Sequence, residues 1–304
     1  MTIVILGATG MLGGTVHEAL KRSGGCTVTG TARRPVRDLV HFDVREGFAT
    51  CPIDFGAVDY VINCIGITKP YCHDDNLSEV QNAISINALF PHALAQLAAE
   101  KDFRVIQIAT DCVFSGRTGG YAEDATHDPA DMYGKTKSMG EVMASPRLLN
   151  IRCSIIGPEA YHSAFLLEWF LKQPEGAQVR GFEHHRWNGV TTLQFAQLCD
   201  AIITQGQFDV LAGESPVHHF VPNETVSKYE LLSLFNEVYG KRVTVQPYRD
   251  GDAVDRTLTT RHHTLARIVP TTSLRTALQE LRGFQQWGAV AERASMGRSA
   301  AVGA

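Results

Sequence analysis

The 304-residue chain lacks the features that would place it in a membrane or outside the cell. No apolar run reaches the roughly 18 residues of a spanning helix. Residues 1–6, Met-Thr-Ile-Val-Ile-Leu, lack the basic region and cleavage site of a signal peptide. The seven cysteines are scattered and show no Cys-x-x-Cys spacing, which favours reduced core thiols over a disulfide framework. These absences predict a cytoplasmic protein with no membrane partner.

The chain also lacks a strong excess of charge. Its net charge of -4 gives no broad electrostatic reason to expect a nucleic-acid partner. A hydrophobic content of 44% and a charged content of 20% are ordinary for a soluble globular enzyme. The length corresponds to one large domain or to two domains in close contact.

Three histidine pairs raise the question of a metal site: His184-His185, His218-His219 and His262-His263. Adjacent residues on a strand point to opposite faces, so a pair seldom offers both rings to one ion. No supporting carboxylate spacing accompanies them, and we predict no metal.

What is present begins with a strand, a glycine-rich turn and a helix. Residues 2–6 are an apolar run typical of a strand buried on both faces, and residues 14–22 are amphipathic. Between them, glycines would let the backbone approach a pyrophosphate, and the helix N-terminus supplies free N–H groups and a positive dipole. We predict a dinucleotide site at Gly7, Thr9, Gly10, Met11, Leu12 and Gly13.

The second predicted strand, residues 27–31, lacks the acidic residue that NAD sites usually carry near its end. Arg33 and Arg34 follow it instead. Because arginine grips phosphate bidentately, this pair predicts a 2′-phosphate and therefore NADP(H) over NAD(H).

Further cofactor candidates lie where later elements begin or end. The third predicted strand, residues 40–44, ends with Asp43 and Val44, and the Asp43 carboxylate could accept a hydrogen bond from the adenine amino group of the cofactor. The fourth, residues 60–65, precedes a glycine that suits close cofactor approach. A long predicted helix, residues 85–100, carries an asparagine near its start that would face the active site. The candidates are Asp43, Val44, Cys64, Ile65, Gly66 and Asn87.

Three residues form the predicted catalytic group. Thr110 follows the fifth predicted strand, residues 103–109, while Tyr133 and Lys137 lie four apart in a predicted helix, residues 133–145. Side chains at this spacing share one helical face, and open parallel sheets bind ligands beyond the carboxyl ends of their strands. A nearby ammonium favours phenolate, so we expect the pKa of Tyr133 to fall toward working pH. Thr110 can supply a hydroxyl to the same substrate oxygen.

Strands alternate with helices through the first half, which predicts an α/β fold with a doubly wound parallel sheet of the Rossmann type. The alternation weakens after residue 157, which indicates a smaller α/β substrate lobe. The predicted division assigns residues 1–156 to an NADP-binding domain, to which residues 181–209 return. It assigns residues 157–180 and 210–288 to the substrate lobe, and residues 289–304 to a loose C-terminal tail.

In this order, the glycine turn, Asn63-x-x-Gly66, Thr110 and Tyr133-x-x-x-Lys137 resemble an extended short-chain dehydrogenase/reductase. The narrower resemblance is to the dTDP-4-dehydrorhamnose reductase branch. It is carried by Ala-Thr-Asp-Cys-Val-Phe-Ser-Gly at 109–116 and Tyr-Gly-Lys-Thr-Lys-Ser-Met-Gly-Glu at 133–141. The resemblance extends to about residue 287, and it is specific in the first half and loose in the second.

The resemblance implies an NADPH-dependent reductase of the 4-keto group of a nucleotide-linked deoxysugar. Tyr133 would protonate the C4 oxygen as hydride arrives, Lys137 would hold the nicotinamide ribose and tune Tyr133, and Thr110 would hydrogen-bond the carbonyl. The branch usually carries Trp-Val-Tyr-Gly where residues 154–157 read Ser-Ile-Ile-Gly, and a later Gly-x-Pro-Thr is also absent. Both departures bear on the identity of the sugar.

The substrate side has its own candidates. Arg186 and Trp187 would contact the diphosphate and the base of a nucleotide-sugar substrate. Exposed-looking aromatic residues in the second lobe hint at a homodimer. The substrate-binding candidates are Thr110, Asp111, Val113, Arg186 and Trp187.

Related proteins have three other functions that this chain could share. A sugar-nucleotide 4-epimerase uses the same Tyr and Lys but usually binds NAD, which the arginine pair argues against. A regulatory subunit of methionine adenosyltransferase belongs to the same branch and binds NADP without catalysis. Related 4,6-dehydratases have Asp-Glu after the active-site Thr, where this chain has Asp111 and Cys112, and a buried thiol is a poor base. The epimerase and the regulatory subunit stay open as alternatives.

Overall fold

The structure is a computed structural model that describes residues 1–159 and 164–286. Its strands are Thr2–Leu6 (β1), Thr27–Ala32 (β2), Val40–His41 (β3), Tyr60–Asn63 (β4), Arg104–Thr110 (β5), Leu148–Cys153 (β6), Ile155–Ile156 (β7), Gln178–Phe182 (β8), His185–Trp187 (β9), Val190–Thr191 (β10), Val217–His219 (β11), Val226–Ser227 (β12), Thr244–Tyr248 (β13) and Val254–Asp255 (β14). Its helices are Met11–Ser23 (α1), Leu77–Ala83 (α2), Phe90–Lys101 (α3), Met132–Met139 (α4), Leu166–Leu171 (α5), Thr192–Thr204 (α6), Phe208–Glu214 (α7), Lys228–Tyr239 (α8), Thr264–Ile268 (α9) and 274–286 (α10).

A seven-stranded parallel sheet forms the centre, in the order β11-β6-β5-β4-β1-β2-β3. Alternate residues of β1 face opposite sides of this sheet, because successive side chains of a strand do. Ile3 and Ile5 pack in a core that includes residues of α1 and α6, whereas Val4 and Leu6 pack with residues of α3. The sheet is therefore covered on both faces, which confirms the predicted Rossmann-like α/β fold.

The first-half elements are those predicted, with boundaries that shift by a few residues, and three of the shifts affect the candidate site. β4, for example, ends at Asn63 and not at residue 65. β3 is only two residues long, so Asp43 and Val44 lie beyond its end. The predicted helix at 85–100 is part of a longer helical run that begins at Leu77 and contains a π-helical segment, Ile84–Leu89. α4 ends at Met139 and not at residue 145, because Gly140 lies directly against the backbone of Asn87.

A smaller lobe is assembled from later segments. β8 pairs with β13, and β9 lies between β12 and β14. Apolar residues of α5, α8 and α10 form its core with those of the small strands, among them Phe170, Phe235 and Leu278. The sequence predicts a helix over residues 163–171. Residue 163 lies outside the described residues, and the helix, α5, begins at Leu166.

The predicted domain division differs from these pairings in two places. Residues 178–187 pair within the smaller lobe. The chain returns to the large lobe only at α6, which follows β10 and packs in the same core as Ile3 and Ile5. β11 was assigned to the substrate lobe, yet it lies beside β6 in the large sheet. The division itself stays a prediction, and its tail at 289–304 lies outside the described residues. No helix within residues 1–159 and 164–286 is long and apolar enough to cross a membrane.

Candidate active site

The glycine turn is built by backbone contacts that tolerate no side chain. Gly7 has a φ of 82°, and its N–H donates to the Thr31 hydroxyl oxygen at 3.1 Å. A Cβ on Gly13 would lie 2.2 Å from the Gly7 carbonyl oxygen. Gly10 is the N-cap residue of α1 and has no side chain that could accept a hydrogen bond. The N–H groups of the first helical turn therefore have no side-chain acceptor. An anion such as a pyrophosphate satisfies these groups.

The neighbouring strand ends carry the residues predicted to recognise the rest of the dinucleotide. Arg33 and Arg34 follow β2 directly and are exposed. The glycine turn lies beside the same strand, because the Ala8 N–H donates to the Thr31 carbonyl oxygen. Asp43 is buried, and its carboxylate accepts hydrogen bonds from the Arg45 backbone N–H and Nε at 3.0 Å each. Hydrogen bonding to Arg45 lowers the pKa of Asp43, so this group is a carboxylate at neutral pH.

Lys137 connects α4 to the end of the sheet. It is 7% exposed, and its ammonium donates to the Ile108 carbonyl oxygen of β5 at 2.9 Å. Its charge also interacts with the Cys64 thiol beyond β4, and the backbone of Cys64 and Ile65 borders Gly7. Lys137 and the glycine turn therefore meet at the end of β4.

Tyr133 lies beside Thr110, as the spacing predicted, but its pKa moves in the opposite direction. Burial raises the pKa of the phenol well above its ordinary value, and the nearby Cys112 and Asp111 raise it further. A hydrogen bond with the Thr110 side chain opposes this change without overcoming it. The expected fall in pKa is wrong because the cost of burying a phenolate exceeds the stabilisation that neighbouring donors give. Tyr133 is a protonated phenol at neutral pH.

Burial also shifts the other two groups near this pair. It lowers the pKa of Lys137 to about 8, so the side chain is mainly an ammonium at neutral pH and loses its charge just above. It raises the pKa of Cys112 to about 12, which agrees with the expectation that this thiol is a poor base.

Two glycines, one within α4 and one at its C-terminal end, bring this helix into contact with its neighbours. A Cβ on Gly134 would lie 2.2 Å from the Cys112 carbonyl oxygen, so the helix packs directly on the turn that follows Thr110. Gly140 makes the same close approach to the backbone of Asn87. These glycines therefore fix where Tyr133 and Lys137 lie.

Asn87 lies in the π-helical segment, and its amide is engaged by other protein groups. Its Oδ1 accepts from the Ile67 N–H at 2.8 Å, and its Nδ2 donates to the Ile67 carbonyl at 2.9 Å and the Thr136 hydroxyl at 3.2 Å. Asn87 thus joins the loop after β4 to α4. This placement indicates a structural link, and its predicted contact with a cofactor stays a prediction.

Two residues that were predicted to contact the substrate, Val113 and Trp187, are packed in the protein interior instead. Val113 is fully buried with Phe114, Tyr121 and Leu258, so it offers no surface to a ligand. Trp187 is 4% exposed, belongs to the core of the smaller lobe, and donates its indole N–H to the Ser154 hydroxyl at 2.8 Å. Arg186 precedes it on β9 and is exposed.

Near Asp111 and Cys112 lie two cations that are not among the predicted substrate-binding residues. Lys228, at the start of α8, lies over the Trp187 ring with 5.6 Å to its centroid, and its charge interacts with Asp111. Arg256 donates from Nε to the Phe114 carbonyl at 3.0 Å and lies near Lys228 and Cys112. Both come from the smaller lobe, more than 110 residues after Asp111, so no local pattern links them to it.

Within the described residues, no group of three or more His, Cys, Asp or Glu side chains is arranged to hold a metal ion. In one of the adjacent pairs, both histidines contact backbone carbonyls. His218 shares its Nε2 with the Leu211 and Ser215 carbonyls, and His219 Nδ1 lies 2.7 Å from the Thr259 carbonyl.

The fold and the site define a class of protein. A glycine turn opens α1 of a Rossmann-like sheet, and a Tyr-x-x-x-Lys helix lies at the end of β5 beside a threonine. The protein is an extended short-chain dehydrogenase/reductase.

Comparison with known proteins narrows the class. The family described as "RmlD substrate binding domain" matches residues 1–278, and the chain belongs to that family. A dTDP-4-dehydrorhamnose reductase of Aggregatibacter actinomycetemcomitans is 25% identical over 250 residues, which cover 79% of this chain and 80% of that protein. Methionine adenosyltransferase 2 subunit beta of Danio rerio is 26% identical over 252 residues, with shares of 78% and 73%. These matches confirm the resemblance inferred from the motifs.

The fold also matches solved structures. The dTDP-4-dehydrorhamnose reductase of Bacillus anthracis in complex with NADP gives a TM-score of 0.67 at 17% identity, covering 92% of this chain and 98% of that one. At this identity the match supports the fold alone.

Proposed function

We propose that this protein is an NADPH-dependent reductase of the 4-keto group of a nucleotide-linked deoxysugar. The observation that carries the proposal is the meeting of Thr110, Tyr133 and Lys137 at the carboxyl end of β5, next to the glycine turn at the end of β1. The relative from Aggregatibacter actinomycetemcomitans is a dTDP-4-dehydrorhamnose reductase, which supports the same reaction.

The protonation states favour reduction. NADPH supplies a hydride when bound, and hydride addition to a carbonyl leaves an alkoxide that needs a proton. Tyr133 is protonated at neutral pH because its pKa is raised, so it can donate that proton. Thr110, whose hydroxyl donates to Asp111 Oδ1 at 3.1 Å in the structure, would turn to donate to the same oxygen, and the Lys137 ammonium would stabilise the phenolate that remains.

The smaller lobe supplies the charge that a diphosphate needs. Lys228 forms no hydrogen bond or ion pair with any residue of the described ranges, although burial lowers its pKa. Together with Arg256 it would hold the substrate diphosphate, with the sugar directed toward Tyr133. Arg186 stays a candidate for the nucleotide, and Asp111 for the sugar.

The choice of NADPH over NADH is assigned to the arginines beyond β2. Replacing Arg33 and Arg34 with alanine should weaken NADPH binding by about 10- to 100-fold, because charge-assisted hydrogen bonds to the 2′-phosphate are lost. NADH binding should change little. Fluorescence titration of both cofactors measures the difference, and Arg37→Ala, a neighbouring exposed arginine, is the matched control. Equal losses for NADPH and NADH would reject the assignment.

A regulatory role is the second candidate, because methionine adenosyltransferase 2 subunit beta is as similar in sequence as the reductase. One experiment separates the functions. The protein is incubated with NADPH and a panel of dTDP-, UDP-, GDP- and CDP-linked 4-keto sugars, and the products are read by mass spectrometry. A reductase gives a product two mass units heavier with matching NADPH loss. An epimerase interconverts sugars without net NADPH loss, and a regulatory subunit does neither.

The proposal includes a cytoplasmic location and a homodimer. Reduced thiols suit the cytoplasm, and all seven cysteines are free. Trp169 on α5 is 39% exposed, which suits an interface on the smaller lobe. Light scattering on the purified protein tests the dimer.

A further inference from the structure

A row of hydrogen bonds connects two segments that are far apart in the chain, residues 114–123 and residues 255–261. The first segment is the loop that follows Thr110, and the second begins at the end of β14. The bonds are spread along both segments and include Asp255 N–H to Gly116 O (2.7 Å), Tyr121 N–H to Thr257 O (3.0 Å), Thr259 N–H to Tyr121 O (2.8 Å) and Arg261 N–H to Glu123 Oε2 (2.9 Å). We call the two bonded segments the joint. The joint ties the loop after Thr110 to the smaller lobe.

Arg256 lies within the joint, and only one corner of its guanidinium is used there. Its Nε donates to the Phe114 carbonyl at 3.0 Å, and its stem lies against Gly116, where an added Cβ would be 2.9 Å from Arg256 Cγ. The two Nη atoms form no hydrogen bond or ion pair with any residue of 1–159 or 164–286. They therefore keep four N–H donors for a ligand. Because the stem is already fixed, binding a phosphate group costs this side chain less conformational entropy.

The Phe114 carbonyl that holds Arg256 is itself fixed relative to Thr110. The Phe114 N–H donates to the Asp111 carbonyl at 3.0 Å, and the Cys112 N–H donates to the Thr110 hydroxyl oxygen at 3.2 Å. A 3-10 turn rises about 2 Å per residue, so the backbone from Thr110 to Phe114 spans about 8–10 Å. A pyranose ring with a phosphate on its first carbon can bridge a span of this size. Arg256 and Thr110 are thus the two ends of a short, hydrogen-bonded path.

Thr257 fixes the backbone on both sides of Arg256. It is buried, its hydroxyl oxygen accepts from the Gly120 N–H at 3.0 Å, and the hydroxyl donates to Asp255 Oδ1 at 2.6 Å. The Asp255 carboxylate lies against Gly119, where a Cβ would be 2.2 Å from the carboxyl carbon. One hydroxyl therefore connects the residue before Arg256, the residue after it and the loop that follows Thr110.

We propose that Thr257 is a positioning residue that holds Arg256 at a set distance from Thr110 through the joint, so that a phosphate bound by Arg256 brings the sugar carbonyl to Thr110. Binding energy from the phosphate end of the substrate then orients the distant carbonyl. The joint selects sugars that carry a phosphate on the carbon opposite the carbonyl over free sugars. This inference deepens the proposed reductase function and rests on it.

The test is calorimetric binding of dTDP-, UDP-, GDP- and CDP-glucose to the full-length protein in the presence of NADPH. These probes carry the diphosphate and no keto group, so they bind without being reduced. Thr257→Val nearly keeps the side-chain volume but removes the hydroxyl, and should weaken the probe that binds by about 3- to 10-fold. Thr257→Ser should restore most of the lost affinity. Thr204→Val removes a hydroxyl bonded to the Asp200 carbonyl in α6 and should leave affinity unchanged.

A double-mutant cycle shows whether Thr257 acts through Arg256. Arg256→Met should weaken binding by about 10- to 100-fold, because charge-assisted hydrogen bonds are lost. In the Arg256→Met background, Thr257→Val should cost less than about twofold. Gly119→Ala, whose Cβ would displace the Asp255 carboxylate, is a second variant of the joint and should behave like Thr257→Val in both backgrounds. Independent losses in the cycle, full affinity in Thr257→Val, or no binding of any probe to the wild-type protein overturns the proposal.

Reduction of the 4-keto sugar panel is measured separately, so that the two proposals can fail independently. Coupled losses in a protein that reduces none of these sugars reject the reductase and keep the role of the joint. Reduction by the wild-type protein together with independent losses keeps the reductase and rejects the joint. Where both hold, kcat/KM of Thr257→Val should fall by at least the factor measured for binding, and Thr257→Ser should restore it.

Discussion

Replacing Tyr133 with phenylalanine is expected to lower turnover by about 10²–10⁴-fold, the scale of general acid catalysis. The change removes the phenolic oxygen and keeps the ring, so α4 should keep its place against the turn after Thr110. The alkoxide formed by hydride addition would then take its proton from water, without an oriented donor. NADPH affinity should stay nearly unchanged, because the glycine turn and Arg33 are untouched.

Two measurements separate this effect from misfolding. Turnover is followed by NADPH absorbance with the substrate found in the panel, and NADPH affinity by fluorescence. Tyr239→Phe is the matched control, since its hydroxyl bonds to Gln285 in the smaller lobe at 3.2 Å, and it should retain activity. Activity close to wild type in Tyr133→Phe would remove Tyr133 from the mechanism.

The parts of the site that sequence could predict are those whose geometry is local. The glycine turn is specified within seven residues, because strand, turn and helix follow one another directly. Tyr133 and Lys137 share a helix, so their common face follows from a spacing of four. The alternation of strands with helices in the first half predicts a parallel sheet covered on both faces, which the structure has.

The parts that sequence could not predict depend on distant neighbours. The pKa of Tyr133 is raised by burial, and the spacing of Tyr133 and Lys137 along the chain does not show how deeply the phenol is buried. The end of α4 is set by the Asn87 carbonyl, more than 50 residues earlier. Trp187 was predicted to contact the nucleotide, yet the core of the smaller lobe encloses it.

The same limit explains the missed cations. Lys228 begins a helix whose start is an ordinary capping box formed by Ser227 and Glu230, so its sequence context indicates only a helix N-terminus. Arg256 follows the short strand β14 and is placed by the pairing of β14 with β9. Neither residue has a motif, and only the tertiary fold brings them to Asp111.

Gly13→Ala is expected to weaken NADPH binding strongly. The new Cβ would lie 2.2 Å from the Gly7 carbonyl oxygen and 2.8 Å from the Gly7 carbonyl carbon, so the backbone of the turn must move. Overpacking of this kind costs about 1–3 kcal/mol. If this cost destabilises the conformation of the turn that binds the cofactor, NADPH affinity falls by about 5- to 150-fold. Fluorescence titration with NADPH measures the loss.

Gly14→Ala is the matched control, one residue further along α1. Its Cβ would lie 3.3 Å from the Ala8 carbonyl oxygen, a close contact that a shift of a few tenths of an ångström relieves. Alanine also favours the helix over glycine by about 1 kcal/mol, so stability should not fall. NADPH affinity within about twofold of wild type in Gly14→Ala, together with a large loss in Gly13→Ala, would locate the pyrophosphate at the turn. Similar affinities in both variants would mean that the turn does not hold the cofactor, and the proposed reductase would lose its hydride donor.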